Sequence, residues 1–296
     1  MNENTKQGML YLCATPIGNL ADITERVLET LRSVDIIAAE DTRNSLKLLN
    51  HFDIRVPLTS YHEYNRFDKA RELTDRMLEG KNVALITDAG TPAISDPGEV
   101  LADMCLEAGI RVTSLPGPCA LVTALSMSGM YSGRFVFEGF LPQDKKERRR
   151  ILEELKDETR TIILYEAPHH LKGTLLQLYE ALGDRRMAIC RELTKKFEQT
   201  IRMRLSEAVE YYGGNEPRGE FVLILEGRSR DEMEGEKAES WRQTDLIEHM
   251  KIYESKGFDR KEAMKMVATD RGIAKREVYR QLLEEEEKDQ RSKDNG

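Results

Sequence analysis

The sequence predicts an α/β fold made of two α/β layers that are followed by a small helical piece. Short apolar runs alternate with segments of helical spacing in the first half of the 296 residues, as in a mostly parallel sheet covered on both faces. A second series of apolar runs begins near Arg134, and apolar residues recur at helical spacing beyond residue 240. We therefore expect an N-terminal α/β domain at 1–130, a second α/β domain at 131–228, a linker at 229–240 and a helix-turn-helix-like domain with a charged tail at 241–296.

The first predicted domain consists of strands separated by helices. Each strand is a short apolar run that stops at a turn or a charged cluster, and the runs lie at 9–14, 34–39, 82–87 and 110–115. Helical spacing between these runs predicts helices over 24–31, 66–78 and 100–107, with one more after Pro118.

The second predicted domain contains five strands, and the chain then ends in helices. FVFEGF, TIILYEA, MAICREL, TIRMRL and FVLILEG are the five runs, with helices around 145–155 and 171–182. TIRMRL alternates apolar and basic residues, so we expect a solvated face and some antiparallel pairing. The charged composition near 229–240 predicts a linker. Three apolar faces with Gly257 and Gly272 in the turns between them predict three short helices.

Composition and charge reduce the number of protein classes to which the chain can belong. A hydrophobic fraction of 40% and a charged fraction of 33% are typical of a folded chain. The net charge of −8 argues against a protein that coats nucleic acid non-specifically, although a specific RNA partner remains possible. No apolar run approaches the roughly 20 residues that span a bilayer, and the polar start MNENTKQG lacks a signal-peptide pattern. Four dispersed cysteines predict free thiols, no metal site and a cytoplasmic location.

Four predicted strands end in turns rich in glycine, proline or charge. The turns are TPIGN, DAGTPAISDPG, PGPCA and YEAPHH. Ligands of open α/β sheets bind beyond the carboxyl ends of strands, and small residues there let main-chain groups approach a ligand. The sequence contains neither GxGxxG after the first strand nor GxxxxGK[ST], so an ordinary dinucleotide site and a P-loop are disfavoured. These turns predict a ligand cleft of a different kind.

A series of motifs spans residues 10–227 and comprises ATPIGNLADIT, AAEDTR, SYHEYN, LITDAGTPAISDPG, SLPGPCA, FEGFLP, YEAPHH, RELTKKFE and GEFVLILEG. On these motifs the sequence resembles the tetrapyrrole methylase superfamily and, within it, the ribosomal small subunit methyltransferase I family. The resemblance implies two α/β domains with S-adenosylmethionine in the cleft between them, usually in a homodimer. It also implies methylation of the ribose 2′-oxygen of a decoding-region cytidine, cytidine 1402, in the 16S rRNA of the small ribosomal subunit. One departure is His170, where the family commonly has Arg.

The same resemblance implies which residues bind the cofactor. Asp88 has two interpretations: it pairs with the ammonium or ribose hydroxyls of the cofactor, or it caps its own turn. The expected cofactor-binding residues are Asp88, Ala89, Gly90, Ile94, Ser95, Cys119, Ala120, Tyr165, Glu166, Leu193, Glu220 and Phe221.

A ribose hydroxyl has a high pKa, so a side chain should accept its proton or lower its pKa. The EDTR cluster ends a predicted strand and RELTK approaches from the other domain, so both supply candidates. The EDTR cluster also suits a helix cap, His62 suits an ordinary surface position, and Lys195 suits either a neutral base or a cation that holds phosphate. The catalytic candidates are Glu40, Asp41, Arg43, His62, Arg191 and Lys195, and Glu63 and Glu192 lie beside them.

Two rival functions remain open at this point. Another methyltransferase of the superfamily, acting on a tetrapyrrole or a modified protein side chain, would share the cofactor cleft. A non-catalytic RNA-binding protein would instead use the C-terminal helices, whose 251–280 segment is rich in Lys and Arg.

Overall fold

A computed structural model describes residues 7–294, with side chains up to residue 284. Residues 1–6, on which the expectation about a signal peptide partly rests, and residues 295–296 of the charged tail lie outside the described residues. The chain divides into two compact units, one reaching Gly227 and the other beginning at Arg228. Each unit is described by itself.

The first sheet of the first unit is entirely parallel. Its strand order is β3-β2-β4-β1-β5, so the carboxyl ends of all five strands lie at one edge. All four predicted strands are present, and β3 is an addition that the sequence did not reveal because it is only three residues long. The strands are β1 (Met9–Cys13), β2 (Ile36–Ala39), β3 (Leu58–Ser60), β4 (Val83–Ile86) and β5 (Arg111–Leu115).

Helices cover both faces of this sheet and bury one apolar core on each. The side chain of Asp41 caps the second helix by accepting a hydrogen bond of 2.8 Å from the main-chain N–H of Arg43. The capping interpretation of EDTR is therefore correct for Asp41. The helices are α1 (Glu25–Ser33), α2 (Thr42–His51), α3 (Arg66–Leu78) and α4 (Gly98–Glu107).

The second sheet mixes parallel and antiparallel pairs, as the sequence predicts. Its strand order is β6-β7-β10-β8-β9. The neighbouring strands β6 and β7 pair in parallel, and the other three neighbouring pairs are antiparallel. The strands are β6 (Phe135–Phe140), β7 (Thr161–Glu166), β8 (Arg186–Arg191), β9 (Gln199–Arg204) and β10 (Phe221–Leu225).

The helix α5 (Ala120–Ser128) follows the last strand of the first sheet but packs on the second sheet. Its side chains Leu121 and Leu125 share a core with Ile163 and Val222. The predicted boundary at 130/131 falls in the segment between α5 and β6. The other helices of this layer are α6 (Lys145–Lys156), α7 (Pro168–Leu182) and α8 (Leu205–Gly214).

The described part of the second unit consists of four helices and the turns between them, and this corrects the prediction of a linker at 229–240. That segment lies in the helix α9 (Arg230–Gln243), which Ser229 caps. Its Glu, Lys, Arg, Met and Ala residues favour a helix, but the structure buries only Ala238 among them, so no apolar stripe marked it. The three predicted helices follow with a core of their own, and they are α10 (Leu246–Glu254), α11 (Arg260–Asp270) and α12 (Lys275–Asp294).

Two smaller findings bear on the composition argument. All four cysteines are free thiols, with Cys119 partly exposed and the other three buried. Within residues 7–294, no helix combines the length and the apolar character needed to cross a bilayer.

Candidate cofactor and active site

A cavity of about 510 Å³ lies within the first unit, lined by the strand-end turns of the first sheet and by the facing side of the second sheet. All twelve residues expected to bind the cofactor line this cavity. Of the six catalytic candidates, Glu40 alone lines it. Lining residues that the sequence did not single out are Ile17, Thr87, Thr91, Asp96, Phe140, Ala167, Pro168 and Val222.

Hydrogen bonds tie three of the glycine- and proline-rich turns together at the cavity. Gly90 and Thr15 exchange two main-chain hydrogen bonds of 2.8 and 3.0 Å, which join DAGTPAISDPG to TPIGN. The hydroxyl of Thr91 donates to the carbonyl of Pro118 at 2.9 Å, which joins the same turn to PGPCA. The glycine at position 90 has φ of +91°, a conformation that L side chains rarely adopt. The main-chain conformation at position 90 therefore explains why the turn has glycine there.

Asp96 organises the second half of the DAGTPAISDPG turn. Its carboxylate accepts main-chain N–H groups from Ala93 at 2.9 Å, Ile94 at 3.3 Å and Gly98 at 2.9 Å. Ala93 and Ser95 have φ of +67° and +66°, which is strained for residues with a Cβ atom. The three hydrogen bonds stabilise this conformation and hold Ile94 and Ser95 at the cavity wall.

Asp88 contacts the EDTR segment and the start of α2 rather than capping its own turn. Its Oδ1 accepts the main-chain N–H of Asp41 at 3.2 Å, and its Oδ2 accepts the side-chain amide of Asn44 at 3.2 Å. Asp88 also lines the cavity, so the carboxylate links the predicted cofactor turn to the predicted catalytic cluster.

Aromatic and buried groups of YEAPHH form the opposite wall. The hydroxyl of Tyr165 accepts the main-chain N–H of Leu121 at 3.1 Å, and its ring lies edge-on to Phe140 at 5.6 Å. Burial raises the pKa of Tyr165 to about 12, so the phenol is neutral at physiological pH. The carboxylate of Glu166 is buried and accepts hydrogen bonds from the N–H of Ala167 and the hydroxyl of Thr174. Both groups therefore shape the wall.

Lys195 lies in an ion-pair network at the rim. Its Nζ lies 3.0 Å from Oε1 of Glu192 and 2.9 Å from Oε2 of Glu220. Burial acts to lower the pKa of Lys195, but the hydrogen bonds to Glu220 and Glu192 outweigh it and raise the pKa above its usual value. Lys195 is therefore an ammonium at neutral pH, which argues against its interpretation as a neutral base.

Two glycines lie close against side chains of the RELTK loop. A Cβ atom on Gly18 would lie 2.4 Å from Cγ of Lys195, and one on Gly219 would lie 2.4 Å from Cγ of Glu192. Only glycine lets the TPIGN turn and the start of GEFVLILEG pack so tightly against RELTK.

The other catalytic candidates lie away from the cavity lining. Arg43 is exposed on α2, and Arg191 donates from Nε to the carbonyl of Arg218 at 2.6 Å. His62 is half-buried, and its Nδ1 has no hydrogen-bond partner within the described residues. His170, the departure from the family pattern, is exposed in the first turn of α7.

Comparisons with known proteins agree with this geometry. The family model described as Tetrapyrrole (Corrin/Porphyrin) Methylases matches residues 9–209. A ribosomal RNA small subunit methyltransferase I of Halalkalibacterium halodurans is 49% identical, covering 92% of this chain and 94% of the relative. The protein of the same name from Bacillus subtilis is 47% identical over 94% and 95% of the two chains. That of Escherichia coli O157:H7 is 43% identical over 96% and 97%.

Solved structures share the fold at low identity. A diphthine synthase has a TM-score of 0.58 at 13% identity, covering 75% of this chain and 91% of its own. A uroporphyrin-III C-methyltransferase from Thermus thermophilus, solved with S-adenyl homocysteine, has a TM-score of 0.53 at 18% identity, covering 74% and 97%.

The two sheets and the cavity beside them thus define a methyltransferase of the tetrapyrrole methylase class. Within that class, the chain belongs to the ribosomal RNA small subunit methyltransferase I family, with which it shares more than 40% identity over almost its whole length. The predicted family, fold class and methyltransferase activity are confirmed. The roles of individual site residues remain predictions.

Proposed function

We propose that this protein transfers the methyl group of S-adenosylmethionine to the ribose 2′-oxygen of cytidine 1402 in the decoding region of 16S rRNA. The observation that carries the proposal is that one cavity is lined by all twelve expected cofactor residues and by Glu40, in a chain of this family.

The cavity suits the cofactor in size and chemistry. Its volume of about 510 Å³ lies within the range of roughly 300–1,000 Å³ typical of small-molecule sites. Ile17, Leu193 and Val222 offer apolar walls for an adenine ring, and the carboxylates of Asp88 and Glu220 suit an ammonium group and hydroxyls. When bound, the cofactor would supply a methyl group attached to a sulfonium sulfur. That sulfur leaves as part of a neutral thioether, which is a good leaving group.

The part of the protein is to position the ribose hydroxyl and take up its proton. Glu40 is half-buried at the end of β2 and lines the cavity. Its Oε2 accepts a hydrogen bond of 2.8 Å from the hydroxyl of Thr87, which fixes the carboxylate at the wall. With S-adenosylmethionine held by the lining residues and supplying the methyl group, Glu40 would receive the proton of the ribose hydroxyl as general base.

Lys195 is a positioning residue in this account. Its ammonium holds Glu192 and Glu220 together at the rim, and Glu220 lines the cavity. Charge-assisted hydrogen bonds of this kind orient the two carboxylates towards one ammonium group.

The RNA substrate also indicates in which form the target nucleotide is presented to the enzyme. A cytidine within rRNA must be unstacked to reach such a cavity, and proteins recognise RNA mainly at irregular single-stranded positions. We therefore expect assembled or partly assembled small subunits to be better substrates than a short oligonucleotide, with the enzyme acting in the cytoplasm as a homodimer.

Transfer of a labelled methyl group tests this function. The purified chain is incubated with labelled S-adenosylmethionine and 30S subunits that lack the modification, naked 16S rRNA, or a precorrin. Incorporation into the RNA supports the proposal, whereas incorporation into the precorrin alone indicates a tetrapyrrole methyltransferase. No incorporation with intact RNA binding would indicate a non-catalytic RNA-binding protein.

A further inference from the structure

We propose that the exposed face of α2, together with the cavity beside it, binds the phosphate backbone of the RNA strand that leads to the target nucleotide. This inference rests on the proposed function, because it assigns a binding site to the same RNA substrate.

A second cavity, of about 360 Å³, adjoins the predicted active site. Asp88 lines both cavities, so a ligand here lies next to the predicted cofactor site. The TPIGN turn forms one side and α2 forms the other. The lining residues are Thr15, Pro16, Gly18, Leu20, Asn44, Lys47, Leu48, His51 and Asp88.

The α2 helix presents three basic residues on one face. Arg43, Lys47 and His51 are spaced four residues apart, which places them in a row along the helix. All three are exposed, and none of the ten residues of α2 is acidic. The row begins one residue before Asn44, whose amide donates to Asp88 at 3.2 Å. A basic track therefore runs along α2 towards the predicted active site.

The cations of this track differ from those of α3, the next helix along the chain. Arg66, Lys69 and Arg76 each have a carboxylate within 3.2 Å on α3 or just before it. In the described part of the chain, neither Arg43 nor Lys47 has such a carboxylate partner, and Lys47 reaches only the amide oxygen of Asn44 at 3.4 Å.

The one carboxylate that lines the second cavity, Asp88, forms no ion pair with Arg43 or Lys47 within the described residues. Both oxygens of Asp88 already accept hydrogen bonds, from the N–H of Asp41 and the amide of Asn44. A phosphate beside Lys47 therefore meets a cation that has no carboxylate partner among the described residues, in a protein whose net charge is −8. Phosphate contacts of this kind position an RNA strand without reading its sequence.

Salt dependence of the reaction distinguishes phosphate binding from other roles. We would measure the KM for 30S subunits between 50 and 200 mM salt for the wild type, Lys47→Ala and the double variant Arg43→Ala with Lys47→Ala. Each lost phosphate contact on a single strand should make the plot of log KM against log salt shallower by about 0.7, hence by about 1.4 for the double variant. The KM at low salt should rise by up to about fivefold for each substitution, as for the loss of a solvent-exposed ion pair.

A matched control is Arg71→Ala, which removes an exposed cation of α3 whose Nη1 lies 3.9 Å from Asp68. It should leave the KM and the salt slope at wild-type values. Calorimetry with S-adenosylmethionine checks that each variant is folded with an intact cofactor site.

The outcomes separate this inference from the proposed function. If the wild type does not methylate 30S subunits, the proposed function fails. If the wild type is active and the double variant has the same KM and salt slope as the wild type, the α2 track does not bind RNA. If the double variant instead changes the monomer–dimer equilibrium in ultracentrifugation with an unchanged salt slope, the face is an interface between copies of the chain, and the inference is overturned.

Discussion

The hydroxyl of Thr87 donates a hydrogen bond of 2.8 Å to Oε2 of Glu40. These residues follow β4 and β2, which are neighbours in the parallel sheet, with Ile86 paired to Ala39 at their ends. The register thus brings a hydroxyl and a carboxylate from two distant segments to the same point of the cavity wall.

Replacing Glu40 by Gln should slow the reaction without abolishing cofactor binding. The amide keeps the size of the side chain but cannot accept the proton of the ribose hydroxyl. We expect kcat on 30S subunits to fall by about 10²- to 10⁴-fold, the usual contribution of a general base, with the Kd for S-adenosylmethionine changed only slightly. Single-turnover methylation and calorimetry measure the two quantities.

The control for this variant is Glu107→Gln, an exposed carboxylate at the end of α4, which should behave as the wild type. A Glu40→Gln enzyme with wild-type kcat would exclude Glu40 as the base.

Replacing Asp96 by Ala should weaken cofactor binding. Three main-chain N–H groups lose their acceptor, and the positive φ angles of Ala93 and Ser95 are no longer stabilised. Hydrogen bonds to charged groups contribute about 1.5–3 kcal/mol each, so a loss of at least about tenfold in affinity is expected. Calorimetry measures it, with the exposed Asp103→Ala on α4 as control. Unchanged affinity in Asp96→Ala would show that the turn keeps its shape without this carboxylate.

Much of the fold and of the cofactor site follows from local sequence patterns. Apolar runs predicted nine of the ten strands, and the resemblance to the family named twelve residues that all line one cavity. Asp96 escaped notice because its importance lies in hydrogen bonds within the turn, which no pattern of residue types reveals. Phe140 escaped notice because a β-bulge between Phe137 and Gly139 shifts the register of β6.

The catalytic candidates were harder to predict because their role depends on the direction in which each side chain points. Residues at a strand end point to different sides, so Glu40 lines the cavity while Arg43 lies exposed on α2. The α9 helix was missed for another reason: its solvated sequence buries only Ala238, and amphipathic spacing is the main signal for a helix.

The helical unit should lose stability as the pH falls below about 6.5. His249 is buried and stacked on Trp241 at 3.9 Å, and its Nδ1 accepts a hydrogen bond from Nε of Arg271 at 3.2 Å. Burial lowers the pKa of His249, against the hydrogen bond to Asp270, which acts to raise it. Because the unfolded chain binds the proton more readily, this contribution is complete above the unfolded pKa of about 6.5 and declines below it.

The only tryptophan in the chain reports this transition. We would follow urea unfolding of the full chain by the fluorescence of Trp241. The urea concentration at the midpoint should decrease as the pH is lowered from 7.5 to 5.5. The variant His249→Phe should have a flatter profile, and the exposed His169→Phe should follow the wild type. Equal pH dependence in wild type and His249→Phe would remove His249 as the cause.

The ion pair between Glu158 and Arg160 should stabilise the first unit above pH 4.5. The side-chain hydrogen bond from Arg160 lowers the pKa of Glu158 to about 2. The contribution is therefore complete above the unfolded pKa of 4.5 and is lost as the pH falls towards 2. After allowance for solvent screening, we expect Glu158→Gln to be about 1–2 kcal/mol less stable at pH 7.

Urea unfolding followed by circular dichroism checks this expectation. The difference from the wild type should be constant between pH 8 and 5.5 and should narrow below 4.5, whereas the exposed Glu153→Gln on α6 should show little difference at any pH. A gap that widens as the pH falls would contradict the assignment.

The most direct test of the account is to locate the transferred methyl group. After reaction of the purified protein with S-adenosylmethionine and unmodified 30S subunits, nuclease digestion and mass spectrometry identify the modified nucleotide. The account predicts 2′-O-methylcytidine at position 1402 of the 16S rRNA, formed by the wild type and greatly reduced with Glu40→Gln. A methyl group on a base, on another nucleotide, or on no RNA at all would contradict it.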